Sequence, residues 1–217
     1  MTIIAGIDEA GRGPCFGPMV IAITVMKKED EKEFKAHGVK DSKDLSAKQR
    51  EHLEKEVKEK VLEYYLEEIS PIQLNDLMVR YSLNEIEAMF IGKLIDSVSE
   101  KIDVIYVDSP DSVPGKFEKR IRKYTKTKTK IVAENKADST YVVVSAASIL
   151  AKVKRDDIIE KLRKRYGDLG SGYPSDEKTI IFLKKYVKEH SRLPPFSRIY
   201  WETCKKALNE NAQQKLF

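Results

Sequence analysis

Three short apolar runs in this chain each stop at a carboxylate: TIIAGID at Asp8, DVIYVD at Asp108 and KIVAE at Glu134. Runs this short and this rich in Ile and Val read as buried strands rather than helices. A further β-branched run, PMVIAITVM, follows the first closely enough to pair with it. Between the second and third acid-ended runs lies a basic, helix-like segment, FEKRIRKYTKTKTK, which gives the strand–helix–strand rhythm of an α/β fold. Helical spacing recurs elsewhere. Ser46 and Gln49 stand at capping-box spacing before QREHLEKEVKEKV, and a short helix is expected after Pro71, beyond a strand-like LEYYLEEI. Ile86, Met89, Phe90, Leu94 and Ile95 share one face of NEIEAMFIGKLIDSVSE, which should lie against a sheet. SAASILAKVKRDDIIEKLRKR opens with Ala146, Ala147 and Ala151, small enough for close approach.

Composition bounds the rest. With 217 residues, 41% of them apolar and 35% charged, the chain can bury one large core or a core with an appendage, and it is not a disordered tail. The net charge of +5 is mildly basic and does not by itself identify a polyanionic partner. Cys15 and Cys204 are the only cysteines, and the first residues carry carboxylates where a signal peptide needs an apolar core. No stretch approaches the roughly 20 apolar residues that a bilayer-spanning helix requires. The expectation is a thiol-reduced cytoplasmic protein with no membrane partner. GDLGSGYPSD, with three Gly and one Pro, is the strongest break in the chain. It suggests an α/β body over residues 1–170 and a helical extension over 171–217 with helices in TIIFLKKYVKEH and YWETCKKALNE.

The acids at the strand ends are the candidate chemistry. Asp8 and Glu9 precede Gly11, Arg12 and Gly13, so the backbone can turn tightly and approach another molecule. In open α/β sheets the carboxyl ends of neighbouring parallel strands form one ligand-binding rim, which Asp108 would share. Asp138 follows KIVAE closely enough to reach the same rim. Taken singly, Asp108 and Asp138 are ordinary loop or cap residues; taken together, four carboxylates would repel strongly unless cations neutralised them. Two divalent ions bring about four positive charges, and an all-oxygen donor set suits Mg²⁺ or Mn²⁺. Zinc is disfavoured, because His37, His52 and His190 are isolated and the cysteines lie far apart in sequence.

IDEAGRGP (7–14), KDSKDLS (40–46), YVDSPD (106–111), AENKADSTY (133–141), VSAASILAKVKRD (144–156) and GSGYPSD (170–176) occur in an order that resembles ribonuclease HII, particularly its archaeal form. The resemblance implies an RNase H-like α/β fold, a mixed central sheet flanked by helices with a small C-terminal helical extension. It implies a monomeric endonuclease that hydrolyses the RNA strand of RNA/DNA hybrids. It also implies cutting on the 5′ side of a single ribonucleotide in duplex DNA, by a two-metal mechanism leaving 3′-hydroxyl and 5′-phosphate ends. Roles in ribonucleotide excision repair and DNA replication go with that activity. The family's catalytic, metal-binding acids map onto Asp8, Glu9, Asp108 and Asp138. Gly11, Arg12 and Gly13 are similar to its ribose-reading loop, and Tyr173 to the tyrosine that contacts the same sugar. Without the family, Tyr173 reads as an aromatic that packs its own loop. Ser42 and Lys43 match phosphate-contacting positions, with Lys40 assisting. The basic residues Lys119, Arg120, Arg122, Lys123, Lys126, Lys128 and Lys130 are either a duplex grip or a solvated face, and Asp156 is expected to be a structural partner rather than a ligand. Val142 and Cys15 depart from the family pattern without removing a ligand. QQKLF resembles a shortened sliding-clamp motif in which Gln213, Leu216 and Phe217 would fill clamp pockets; the alternative is a frayed terminus.

Overall fold

In the computed structural model, which describes residues 1–39 and 45–214, the acid-ended runs all form strands. They are β1 (Ile3–Ala10), β4 (Val104–Asp108) and β5 (Lys130–Glu134), joined by β2 (Met19–Lys27) and β3 (Glu63–Ile69) in a sheet of order β3-β2-β1-β4-β5. β1 runs antiparallel to β2 and parallel to β4, which runs parallel to β5, so the sheet is mixed. β2 is buried without a break from Met19 to Met26. Such continuous burial, rather than alternation, is what a strand covered on both faces requires.

Among the described residues the helices are α1 (Glu31–Ala36), α2 (Ala47–Lys60), α3 (Pro71–Met78), α4 (Leu83–Ser97), α5 (Pro114–Ile121), α6 (Ala137–Thr140), α7 (Val142–Tyr166), α8 (Glu177–His190) and α9 (Glu202–Gln214). The Ser46–Gln49 capping box opens α2, and a second box, Ser70 with Gln73, opens α3. Each satisfies backbone donors that the first turn of a helix leaves unpaired. In α4, Ile86, Leu94 and Ile95 are buried, whereas Met89 and Phe90 are half-buried.

α7 begins three residues before the expected Ser145. Its first turn presses on the sheet: a Cβ at Gly6 of β1 would collide with the Val143 backbone, and Thr24 Oγ1 of β2 donates to Val143 O at 2.7 Å. Ala146, Ala147 and Ala151 are fully buried, as close packing demands.

By packing, the chain divides into two compact units. One comprises Met1–Ala10, Val20–Glu68 and Ser82–Lys154; the other comprises Gly11–Met19, Ile69–Tyr81 and Arg155–Phe217. This line differs from a chain-order division at Gly170. The reason is that residues 11–19, though near the start, have their apolar partners far along the chain. Cys15 and Phe16 share a buried core with Ile159, Leu169, Leu183, Val187, Phe196 and Cys204. Phe16 meets Phe182 and Phe196 edge-on at ring separations of 5.8 and 5.3 Å.

Candidate active site

Parallel pairing sets the acids. Ile7 of β1 is opposite Val107 of β4, so Asp8 and Asp108 each stand one residue further on, at the carboxyl ends of adjacent strands. Asp8, Glu9 and Asp108 each offer a carboxylate oxygen within 4.8 Å of the others. Adjacent residues on a strand normally face opposite sides. Here Glu9 N donates to Asp8 Oδ1 at 2.7 Å, and the chain turns at Gly11, whose φ of 81° is left-handed. Asp108 Oδ1 accepts from Ala137 N at 2.7 Å, which ties the start of α6 to the end of β4. Asp138, the next residue, is buried in that single turn; it is not one of the three that share the 4.8 Å cluster. Lys136, in the left-handed region at φ 58°, makes the sharp entry into α6.

The loop after Asp108 is also braced. Asn135 Nδ2 donates to Ser109 O and Asp111 O at 2.7 and 2.8 Å, while Arg120 bridges Asp111 at 3.3 Å and Glu85 at 2.6 Å. Asn84 adds a bond to Asp111.

Burial, with the charges of Glu9 and Asp108 beside it, holds the Asp8 carboxyl well above the usual carboxylate range; Ser148 and Lys152 pull it part of the way back. Both are on α7, one turn apart, with Lys152 Nζ donating to Ser148 Oγ at 2.9 Å. A pair of like charges at 4.8 Å repels by about 3 kcal/mol at an effective dielectric of about 20. A cluster so strained in its ionised form, and made only of hard oxygen donors, fits divalent cations of the Mg²⁺ or Mn²⁺ type.

Residues distant in sequence meet in the other unit as well. A Cβ at Gly13 would lie 3.6 Å from the Tyr173 ring, and the Arg155 guanidinium sits over that ring at 5.1 Å. Tyr173 is 38% exposed, so the residue remains partly open to solvent. Cys15 N donates to Gly172 O at 2.8 Å, which fixes the two loops to each other.

Other sequence candidates fare differently. Lys40, Ser42, Lys43, Leu216 and Phe217 lie outside the described residues; Gln213 is exposed near the end of α9. Of the basic run, Arg120 and Lys123 pair with Glu85, and Arg122 with Glu118, whereas Lys119, Lys126, Lys128 and Lys130 are exposed. Asp156 is exposed on α7. Ser148 and Lys152 of SAASILAK carry no role in the sequence reading above. Their signal was the four-residue spacing that puts both on one helix face.

A sequence model of the family described as ribonuclease HII matches residues 5–204. Ribonuclease HII of Methanocaldococcus jannaschii is 45% identical, with 99% of this chain and 98% of that protein covered. That of Thermococcus sibiricus is 44% identical over 98% of this chain and 93% of the relative. Among solved structures, ribonuclease H2 of Pyrococcus horikoshii is 40% identical with a TM-score of 0.91, covering 98% of this chain and all of that one (100%). The chain is also similar to the structure of the PCNA:RNase HII complex from Archaeoglobus fulgidus, at 38% identity and a TM-score of 0.85 over 94% of this chain and 96% of the other. The acid cluster therefore lies within an RNase H-like fold shared over nearly full length, and this chain belongs to the ribonuclease HII family, RNase H-type endoribonucleases that act on RNA paired with DNA and depend on divalent metal.

Proposed function

We propose that the enzyme cuts on the 5′ side of ribonucleotides, including a lone one embedded in duplex DNA, by two-metal hydrolysis that leaves 3′-hydroxyl and 5′-phosphate ends. The observation that carries this reading is the convergence of Asp8, Glu9 and Asp108 within 4.8 Å at adjoining strand ends. Asp8, Glu9, Asp108 and Asp138 would hold a pair of Mg²⁺ or Mn²⁺ ions. Bound there, the ions would supply an activated water and neutralise charge building on the scissile phosphate and its leaving oxygen. The hydrogen bond from Glu9 N orients the Asp8 carboxylate. Ala137 N does the same for Asp108.

Gly11, Arg12 and Gly13 bind the ribose through their backbone, where absent side chains at two of three positions permit close approach. Tyr173 lays its exposed ring against the sugar, and its nearness to Gly13 supports a shared role. Lys40, Ser42 and Lys43 contact phosphate in this reading, and the exposed lysines of the 119–130 segment draw the duplex by charge. Docking on a sliding clamp would use Gln213, Leu216 and Phe217, by analogy with the Archaeoglobus fulgidus complex. Among the described residues no helix is long and apolar enough to cross a membrane, and we place the enzyme's work, as a monomer, in the cytoplasm.

A nicking assay tests the reading. A duplex with one ribonucleotide should be cut in Mg²⁺, spared in EDTA and nearly spared by Asp108→Asn. Equal cutting of an all-DNA duplex would refute ribose recognition.

A further inference from the structure

The carbonyls of Gly11, Arg12 and Gly13 all accept hydrogen bonds from two side chains near the far end of the chain. The Arg198 guanidinium donates from Nη2 to Gly11 O at 2.6 Å, from Nη1 to Arg12 O at 3.0 Å and from Nε to Gly17 O at 2.9 Å. Trp201 Nε1 donates to Gly13 O at 3.0 Å, and its ring lies 4.9 Å from the guanidinium carbon. Arg198 is completely buried, and burial pushes it down to about 9. These acceptors are main-chain carbonyls rather than carboxylates, so the charge is held where an ordinary core would use an apolar residue.

Because a trans peptide sets N–H opposite C=O, carbonyls drawn toward Arg198 aim the amide hydrogens of Arg12 and Gly13 the other way. Arg198 thus decides which direction these two donors face, while Trp201 fixes the Gly13–Pro14 peptide, which carries no N–H, and so anchors the end of the loop. Their own placement is fixed from both sides. Arg198 N donates to Cys15 O at 2.9 Å and Gly17 N to Phe196 O at 3.0 Å, while Asn75 receives Ile199 N at 3.0 Å and donates to Ser197 O at 3.1 Å.

We infer that Arg198 and Trp201 are positioning residues that hold the Gly11–Gly13 backbone in its ribose-reading orientation and so set selectivity for a lone ribonucleotide. This rests on the proposed role of that loop. Lysine could not substitute for Arg198, since one ammonium cannot reproduce a planar fork that spans three carbonyls.

The test measures kcat/KM on a duplex carrying one ribonucleotide and on a uniform RNA/DNA hybrid, and takes their ratio. A merely structural loss lowers the active fraction and leaves that ratio unchanged. A misaligned reader lowers it, because a uniform hybrid offers a 2′-hydroxyl in every register and a single site offers one. Trp201→Phe keeps the ring over Arg198 and deletes only the N–H, so it should fold. It should reduce the ratio roughly fivefold, equivalent to about 1 kcal/mol. Arg198→Lys should reduce it further. Gly13→Ala, which puts a methyl on the loop beside Tyr173, perturbs the reader directly and serves as the reference. A ratio lowered by Gly13→Ala but not by Trp201→Phe would overturn this inference and leave the loop's role standing. A ratio moved by neither would overturn both.

Discussion

Asp108→Asn should stabilise the metal-free protein while it destroys activity. The substitution removes one charge from a trio whose oxygens lie within 4.8 Å, and the amide oxygen can still accept from Ala137 N, so that hydrogen bond is kept. At an effective dielectric of about 20, each like-charge pair at that separation costs about 3 kcal/mol, and Asp108 belongs to two of them. The pair with Asp8 counts only in part, since burial and the neighbouring charges hold that carboxyl above the usual range and so favour its protonation. Asp108 is also half-buried, so solvent screens the remaining pair. A gain of about 1–2 kcal/mol remains after these discounts. Urea unfolding in EDTA at low salt reads it directly: the midpoint of Asp108→Asn should exceed that of the native protein with an unchanged slope. Adding Mg²⁺ should then stabilise the native protein more than the variant, because ligand binding favours the folded state. A variant equally or less stable in EDTA would show that the carboxylates do not strain one another, and the cation argument would fail with it.

Gly6→Ala should cost about 1–3 kcal/mol in unfolding free energy, since its methyl meets the Val143 backbone, which cannot rotate aside. An unchanged midpoint would mean that α7 does not press on β1. Tyr173→Ala should leave thermal stability nearly intact, because the ring is 38% exposed, yet slow cutting at a lone ribonucleotide; parallel losses in both would assign the ring to packing. Hydrogen bonds from Ser171 N and Lys178 N hold the Asp176 carboxyl below its ordinary value. Its contribution is therefore full above the unfolded-state value near 3.8 and is lost as pH falls through the lower folded value. Asp176→Asn should accordingly flatten the acid side of the stability–pH curve, and an unaltered curve would contradict the assignment. Ser70→Ala should cost about 1 kcal/mol by opening the α3 cap, measured by the same unfolding assay.

The strands and long helices were legible because each is governed by local chemistry: β-branched runs for β2 and β4, Ser–Gln boxes for α2, spaced apolar residues for α4. Asp8, Glu9, Asp108 and Asp138 are grouped from sequence because parallel strands bring their ends to one rim; the register leaves Asp8 and Asp108 level, and the 4.8 Å cluster holds the first three without Asp138. α6 was not legible. Four residues, ADST, are too few to show a helical period, and the turn depends on a backbone bond to Asp108 29 positions away. The hold of Arg198 and Trp201 on the Gly-Arg-Gly loop was equally hidden, since it spans more than 180 residues and uses main-chain carbonyls, which leave no side-chain pattern. For the same reason a break at GDLGSGYPSD gave no hint that residues 11–19 pack with the C-terminal segment.

Anomalous diffraction from crystals soaked in Mn²⁺ addresses the acid cluster most directly. Manganese peaks within bonding distance of Asp8, Glu9 and Asp108, lost in crystals of Asp108→Asn, are the result this account requires. Peaks elsewhere, with those three carboxylates bare at saturating Mn²⁺, would contradict it.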